Sequence, residues 1–111
     1  MIRPVKRRQP GIMNGTERAY ATLLEARVCS GAIISWRYEP FRMRMADWHC
    51  TYTPDFLVVC EDRFEIVEIK GFRRAAGMAK FRVAASIYPW FVWRMVELKK
   101  KEWSTILEIF P

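Results

Sequence analysis

Two stretches of the chain carry apolar residues at the spacing of an α-helix, and each ends at a residue that stops helices. The first covers residues 14–30 and ends at Gly31, and the second covers residues 75–88 and ends at Pro89. The apolar stripes consist of Tyr20, Leu24 and Val28 in the first stretch and of Met78, Phe81, Ala85 and Tyr88 in the second. We therefore predict two helices that each pack one face against a core.

The remaining apolar runs are short and rich in β-branched and aromatic residues, which is typical of strands. They cover residues 33–40, 41–45, 56–59, 64–69, 91–98 and 103–110. The basic stretch Lys99-Lys100-Lys101-Glu102 separates the last two runs and predicts a hairpin. Because the second helix can return the chain for a parallel strand, we expect an α/β fold in which a central mixed β-sheet is flanked by helices.

Composition limits the classes of partner. At 111 residues, 51% of them hydrophobic, the chain has the size and the core of one domain. A net charge of +7 favours a polyanion such as nucleic acid. No apolar run is long enough for a membrane span and no secretory signal is visible, so we expect a cytoplasmic protein with no membrane partner. Three cysteines are too few and odd in number for a disulfide framework.

Residues 1–13 differ in composition from the rest of the chain. They contain four basic residues, two prolines and no acidic residue. This composition is typical of a flexible basic arm in front of a single domain over residues 14–111. The arm either keeps the protein in solution or clamps phosphates, and its charge pattern fits both roles.

Charged residues stand at the ends of two strand-like runs. Asp55 precedes the run 56–59, and Glu68 and Lys70 close the run 64–69. Alternation along a strand puts Glu68 and Lys70 on one face. Two carboxylates with an intervening backbone carbonyl supply the hard oxygen ligands of Mg²⁺ or Mn²⁺, and Lys70 is available to act on an attacking water. The alternative is an ion pair of Lys70 with Asp55 or Glu68.

Glu17 has two possible roles. It lies one helical turn before Tyr20, in line with the apolar stripe and not on the solvent face. Asn14, three residues earlier, completes a capping-box pattern in which the Glu17 side chain satisfies the start of the helix and does nothing more. The residues by themselves favour the cap.

Basic side chains surround the acidic ones along the chain. Arg42 and Arg44 alternate with apolar residues in a half-exposed strand. Four more stand at the start and along the flank of the second helix: Arg73, Arg74, Lys80 and Arg82. Each of these side chains either contacts a phosphate backbone or faces water. We predict that they form the DNA-binding surface.

Pro54-Asp55 followed by Glu68-x-Lys70 resembles the motif of the PD-(D/E)xK nuclease superfamily. The longer phrases Tyr52-Thr53-Pro54-Asp55-Phe56 and Glu68-Ile69-Lys70-Gly71 are similar to small phage and prophage nucleases of that superfamily, to junction-resolving endonucleases and to the endonuclease subunit of heteromeric transposases. The resemblance covers residues 14–98. It implies a restriction-endonuclease-like core in the order α-β-β-β-α-β, to which this chain adds a C-terminal strand.

The resemblance also implies roles for single residues. Asp55 and Glu68 would bind Mg²⁺ or Mn²⁺ together with the backbone carbonyl of Ile69, and Lys70 would be the catalytic lysine. Several members have a further glutamate in the active site, contributed by the first helix. Glu17 stands at that position, so the resemblance implies that Glu17 is a catalytic residue and a further metal ligand. The resemblance thus favours a site role for Glu17 over the cap.

These features predict a metal-dependent deoxyribonuclease that hydrolyses phosphodiester bonds, of phage or prophage type, in the cytoplasm of a bacterium or a phage-infected host. The small size favours recognition of branched or structured DNA, as by a Holliday junction resolvase acting in recombination or repair, and a homodimer would cut two strands. One alternative is a non-catalytic DNA-binding or assembly module with a nuclease fold. Another is a nuclease subunit that needs a protein partner in a transposase or repair complex.

Overall fold

The computed structural model describes residues 11–46, 50–71 and 74–111, and only the backbone of residues 74–76. The elements are α1 (Gly15–Ser30), β1 (Ser35–Tyr38), β2 (Met43–Ala46), β3 (Cys50–Tyr52), β4 (Phe56–Val59), β5 (Phe64–Ile69), α2 (Arg74–Ile87), β6 (Val92–Lys99) and β7 (Glu102–Ile109). None of the helices in these ranges is both long and apolar enough to cross a membrane.

Five strands form one mixed sheet in the order β1-β4-β5-β6-β7. Strands β1, β4 and β5 form an antiparallel meander, β6 is parallel to β5, and β7 is antiparallel to β6. Helix α2 makes the crossover between the two parallel strands, as such a connection requires. The predicted α/β fold with a mixed sheet flanked by helices is confirmed, with α1, three sheet strands, α2, a parallel strand and a C-terminal strand in the predicted order.

Strands β2 and β3, which come after β1 and before β4 in the chain, form a separate two-stranded sheet. The strand predicted over residues 41–45 is therefore present, but it lies outside the main sheet and pairs with residues for which no strand was predicted. Its buried residue Met43 pairs with Tyr52, and both side chains pack beside Trp93 on the α2 side of the main sheet. The short hairpin thus gains its stability from the face that it covers and not from its own length.

Each face of the main sheet has its own core. On the α1 side, the buried side chains of the helix contact alternate residues of the strands: Tyr20, Ala21 and Leu24 with Phe56, Val58, Val67 and Val96. On the α2 side, Phe81, Ala84 and Ala85 pack with Ile66, Trp93 and Met95. Because odd and even residues of β5 and β6 go to different cores, the even residues of β5 after Ile66 face the α2 side.

Both helix stripes and the basic hairpin agree with the sequence. Helix α1 begins at the N-cap Asn14 and ends at Gly31, whose φ of 81° is easily reached only by glycine. Lys100 and Lys101 have φ values of 49° and 64° and form the two-residue turn between β6 and β7. The predicted flexible arm lies outside the described residues except for 11–13, of which Met13 packs against the α1-side core.

Candidate active site

Asp55 and Glu68 stand on adjacent strands, each one residue past the last pair of the β4–β5 ladder. The last pair of that ladder joins Phe56 to Val67, so the next position sets Asp55 across from Glu68. Asp55 is 5% exposed, and its Oδ2 accepts a hydrogen bond of 2.9 Å from the backbone N–H of Ile69. This bond takes the place of a ladder bond and fixes the carboxylate beside the end of β5.

The carbonyl of Ile69 points into the same gap as its N–H. In an extended strand, the N–H and C=O of one residue point to the same side. The N–H of the next residue, Lys70, points to the opposite side of the strand, toward β6, where it donates a hydrogen bond of 2.8 Å to the Val96 carbonyl. Backbone alternation therefore puts the Ile69 carbonyl on the β4 side of β5, where the Asp55 carboxylate lies, and the role of both as metal ligands stays a prediction.

The β2–β3 hairpin forms a hydrogen bond with the Glu68 side chain. The hydroxyl of the buried Tyr52 donates a hydrogen bond to Glu68 Oε2. Tyr52 was noted in the sequence only as part of a motif phrase, and its contact with Glu68 was not predicted. The hairpin therefore has a role at the site as well as in the core.

Lys70 forms an ion pair with Glu97. The register pairs Ile69 with Val96, which brings Lys70 beside Glu97 on the adjacent parallel strand. The distance from Lys70 Nζ to Glu97 Oε2 is 2.7 Å, and the side chains are 24% and 15% exposed. The alternative prediction of an ion pair with Asp55 or Glu68 is wrong in its partner. Glu97 was not predicted as a site residue, because nothing local in the sequence marks a residue on the neighbouring strand.

Glu17 caps α1. Its Oε1 accepts the backbone N–H of Asn14 at 2.9 Å, and its own N–H donates to Asn14 Oδ1 at 2.8 Å, which completes the capping box. The same Oε1 accepts the Tyr38 hydroxyl at 3.0 Å, and the residue is 2% exposed. Tyr38 pairs with Phe56, so Glu17 lies near the Asp55 end of the sheet, on the α1 side. Its role as a cap is present in the structure, and its role toward a metal stays a prediction.

The chain bends sharply beside Asp55. Glu39 has a φ of 44°, which is uncommon for a residue with a side chain. Its N–H donates to the Asp55 carbonyl at 2.8 Å, and its Oε1 accepts the N–H of Gly11 at 2.9 Å. Asp55 is therefore held at two points. Its backbone carbonyl is bonded to Glu39 at the end of β1, and its side chain is bonded to Ile69 of β5.

The predicted DNA-binding residues are exposed where the structure describes them. Arg42 and Arg44 flank the buried Met43 and are both exposed, as alternation predicts. Lys80 and Arg82 are exposed on α2. Arg73 lies outside the described residues, and Arg74 begins α2 without a described side chain.

A second set of charges lies at the other end of the sheet. The buried Glu65 accepts hydrogen bonds from Arg63 Nε at 2.7 Å and from Arg94 Nη1 at 2.5 Å, and Arg94 Nε also binds Glu108 at 2.7 Å. Burial acts to lower the pKa of Arg94, but the bond to Glu108 and the charge of Glu65 outweigh it and raise that pKa. These groups neutralise one another and hold β5, β6 and β7 together.

The donor set at the β4–β5 junction fits a magnesium-type ion. Within residues 11–46, 50–71 and 74–111, no three His, Cys, Asp or Glu side chains form a cage for a metal. Mg²⁺, however, commonly binds one or two carboxylates and completes its shell with water and phosphate oxygens. Asp55, Glu68 and the Ile69 carbonyl supply oxygen donors of that kind from two adjoining strands.

The chain matches no protein-family model, and a search of curated proteins found no relative.

Proposed function

We propose that this protein is a metal-dependent DNA endonuclease that hydrolyses phosphodiester bonds. The observation that carries the proposal is that Asp55 and Glu68 each lie one residue past the last pair of the β4–β5 ladder, with Lys70 on the same face as Glu68. The two carboxylates, of which that of Asp55 is buried and that of Glu68 half-buried, are costly to desolvate unless they are hydrogen-bonded or paired with a cation. Here they come with an amine and a carbonyl suited to phosphoryl chemistry.

Asp55, Glu68 and the Ile69 carbonyl would hold Mg²⁺ or Mn²⁺. When bound, such an ion would polarise the phosphoryl oxygen and make a bound water more acidic. The hydrogen bond from the Ile69 N–H orients the Asp55 carboxylate, and the one from the Tyr52 hydroxyl orients the Glu68 carboxylate, before any substrate binds. This preorganisation lowers the cost of assembling the site.

Lys70 would stabilise the negative charge that develops on the phosphate, or orient the water. Its ammonium group has three donors, so it can keep its 2.7 Å bond to Glu97 and still donate to a phosphate oxygen. Glu97 would therefore act as a positioning residue for Lys70.

The DNA backbone would run over the exposed basic residues. Arg44 lies on β2 and Arg42 just before it, and Lys80 and Arg82 lie on α2. Both elements pack on the α2 side of the sheet, which Glu68 and Lys70 also face. Contacts to phosphates give affinity without sequence reading. A domain of this size is thus suited to branched or otherwise structured DNA, as a homodimer or with a protein partner.

One observation favours a second function, that of a non-catalytic DNA-binding module. Each candidate catalytic side chain already has an intramolecular partner: Asp55 accepts the Ile69 N–H, Glu68 binds Tyr52, Lys70 binds Glu97, and Glu17 caps α1. Such bonds are also what a structural network needs. A module of this kind would bind DNA in a salt-dependent manner and turn over no substrate.

Cleavage assays separate these functions. Purified protein is incubated with linear, nicked, flapped and four-way DNA, with Mn²⁺ and without it. A nuclease cleaves at least one substrate only with the ion, and a binding module shifts the DNA in a gel without cutting it. Cleavage that appears only on adding a transposase or repair partner identifies a subunit of a larger complex.

Variants assign the activity to the site. Glu68→Ala and Lys70→Ala should abolish cleavage, while Arg27→Ala, which removes an exposed arginine in the last turn of α1, on the other face of the sheet, should not. Equal activity of the three variants would exclude the Glu68 and Lys70 pair as the catalytic centre. Circular dichroism of each variant checks that the fold is intact.

A further inference from the structure

Trp90 is the most exposed large apolar side chain of the described residues. It is 73% exposed in the turn between α2 and β6. The nearby Phe41 is 39% exposed, and its ring lies 6.4 Å from that of Phe91, the residue after Trp90. Two aromatic rings are thus presented to solvent at the start of β6. Contact of such rings with a flat apolar ligand has a lower free energy than their contact with water.

The exposed Trp90 ring contacts the ring of Tyr88. The two rings meet edge to face, with centroids 6.4 Å apart and an interplanar angle of 68°. Tyr88 is itself fixed by three hydrogen bonds: its N–H donates to Ala84, its carbonyl accepts the Trp93 indole at 2.8 Å, and its hydroxyl donates to the Arg44 carbonyl at 2.5 Å. A supported, exposed ring loses little freedom when a ligand stacks on it.

Two arginines lie beside these rings. Arg44 is joined to Tyr88 through its carbonyl, and Arg42 follows Phe41 in the chain. Both side chains are exposed, and neither forms an ion pair within the described residues. Aromatic rings with unpaired arginines are the combination that binds single-stranded nucleic acid, since every base offers a π face and every nucleotide a phosphate.

The patch lies at a fixed distance from the candidate active site. Phe91 directly precedes β6 and Glu97 lies six residues further along it, which is about 20 Å at about 3.3 Å per residue. This span equals about six base pairs of duplex at about 3.4 Å each. One strand can therefore reach both the patch and Lys70.

We propose that Trp90, with Phe41, Arg42 and Arg44, forms a platform on which an unpaired DNA base stacks. The platform would select branched or flapped DNA for the proposed nuclease, on whose function its role depends. A second copy of the chain is a less suitable occupant, because a two-fold contact through this patch would bring Arg42 and Arg44 against their own copies.

Binding without cleavage tests the platform separately from the chemistry. A labelled single-stranded oligothymidylate and a duplex of equal length are titrated by fluorescence anisotropy in EDTA, against the wild type, Trp90→Ala, Trp90→Phe and Trp90→Leu. Ile34→Ala is the control, because Ile34 is also exposed, at 57%, but lies beside the β1 edge of the sheet. Sedimentation and thermal melting are recorded for each protein.

Trp90→Ala should weaken single-strand binding about 5- to 100-fold, as expected for the loss of one stacked base, and duplex binding less than about twofold. Trp90→Phe should retain most of the affinity for single-stranded DNA, and Trp90→Leu should not. Ile34→Ala should bind as the wild type does.

Unchanged single-strand binding by Trp90→Ala, or an equal loss for both DNA forms, would overturn the platform. So would a change from dimer to monomer with DNA binding intact, which would assign the patch to a second copy. A wild type that binds single strands through Trp90 and cleaves no DNA would instead refute the nuclease while leaving the platform in place.

Discussion

Replacing Asn14 by alanine separates the helix cap from the candidate site. The substitution removes Oδ1, the acceptor of the 2.8 Å bond from the Glu17 N–H. It leaves the second bond of the capping box, because the backbone N–H of residue 14 still donates to Glu17. Loss of one N-cap acceptor costs about 1 kcal/mol. In a domain of this size, that loss lowers the melting temperature by about 4–7 °C.

Thermal melting followed by circular dichroism measures the effect, and Asn14→Ser is the matched control because serine also caps helices. The serine variant should melt within about 2 °C of the wild type. Cleavage well below both melting temperatures should be unchanged in both variants, since Glu17 keeps its bonds to the residue 14 N–H and to Tyr38. Equal melting of the alanine variant and the wild type would refute the capping argument.

Three further predictions concern the core, the ion pair and a thiol. Phe56→Ala removes a fully buried ring and should cost about 3–5 kcal/mol in urea unfolding; a loss below about 1 kcal/mol would show that the α1-side core does not depend on it. A double-mutant cycle of Lys70→Ala and Glu97→Ala should give a coupling of about 1–2 kcal/mol, whereas additive losses would mean that the 2.7 Å contact contributes nothing. Burial raises the pKa of the Cys60 thiol, so at pH 8 iodoacetamide should alkylate Cys60 more slowly than the exposed Cys29. The difference between the two alkylation rates should become smaller as the pH rises. Peptide mass spectrometry measures both rates, and equal rates at pH 8 would contradict this.

Local patterns in the sequence were sufficient for most of the fold. The helix stripes, the Gly31 and Pro89 stops and the basic hairpin tip each depend on a few adjacent residues, and each is confirmed. The alternation that puts Glu68 and Lys70 on one face also holds, because β5 is regular up to Ile69. These features follow from backbone geometry alone.

Contacts between distant residues could not be predicted in this way. Lys70 and Glu97 are 27 residues apart and meet only through the parallel register of β5 and β6. Strand β3 has three residues and little periodicity, and it is stabilised by packing of Tyr52 over the α2-side core. The Tyr52 bond to Glu68 follows from that packing. Pairing between strands and packing of a hairpin on a sheet are tertiary events with no local signal.

Cleavage of supercoiled plasmid in Mn²⁺ by the wild type, Asp55→Asn and Asp62→Asn tests the proposed catalytic centre most directly. Asp55 is buried and bonded to Ile69, whereas the Asp62 side chain is 76% exposed in the β4–β5 turn. We expect the wild type and Asp62→Asn to cut the plasmid and the folded Asp55→Asn variant to leave it intact. Cutting by Asp55→Asn at the wild-type rate would contradict the assignment.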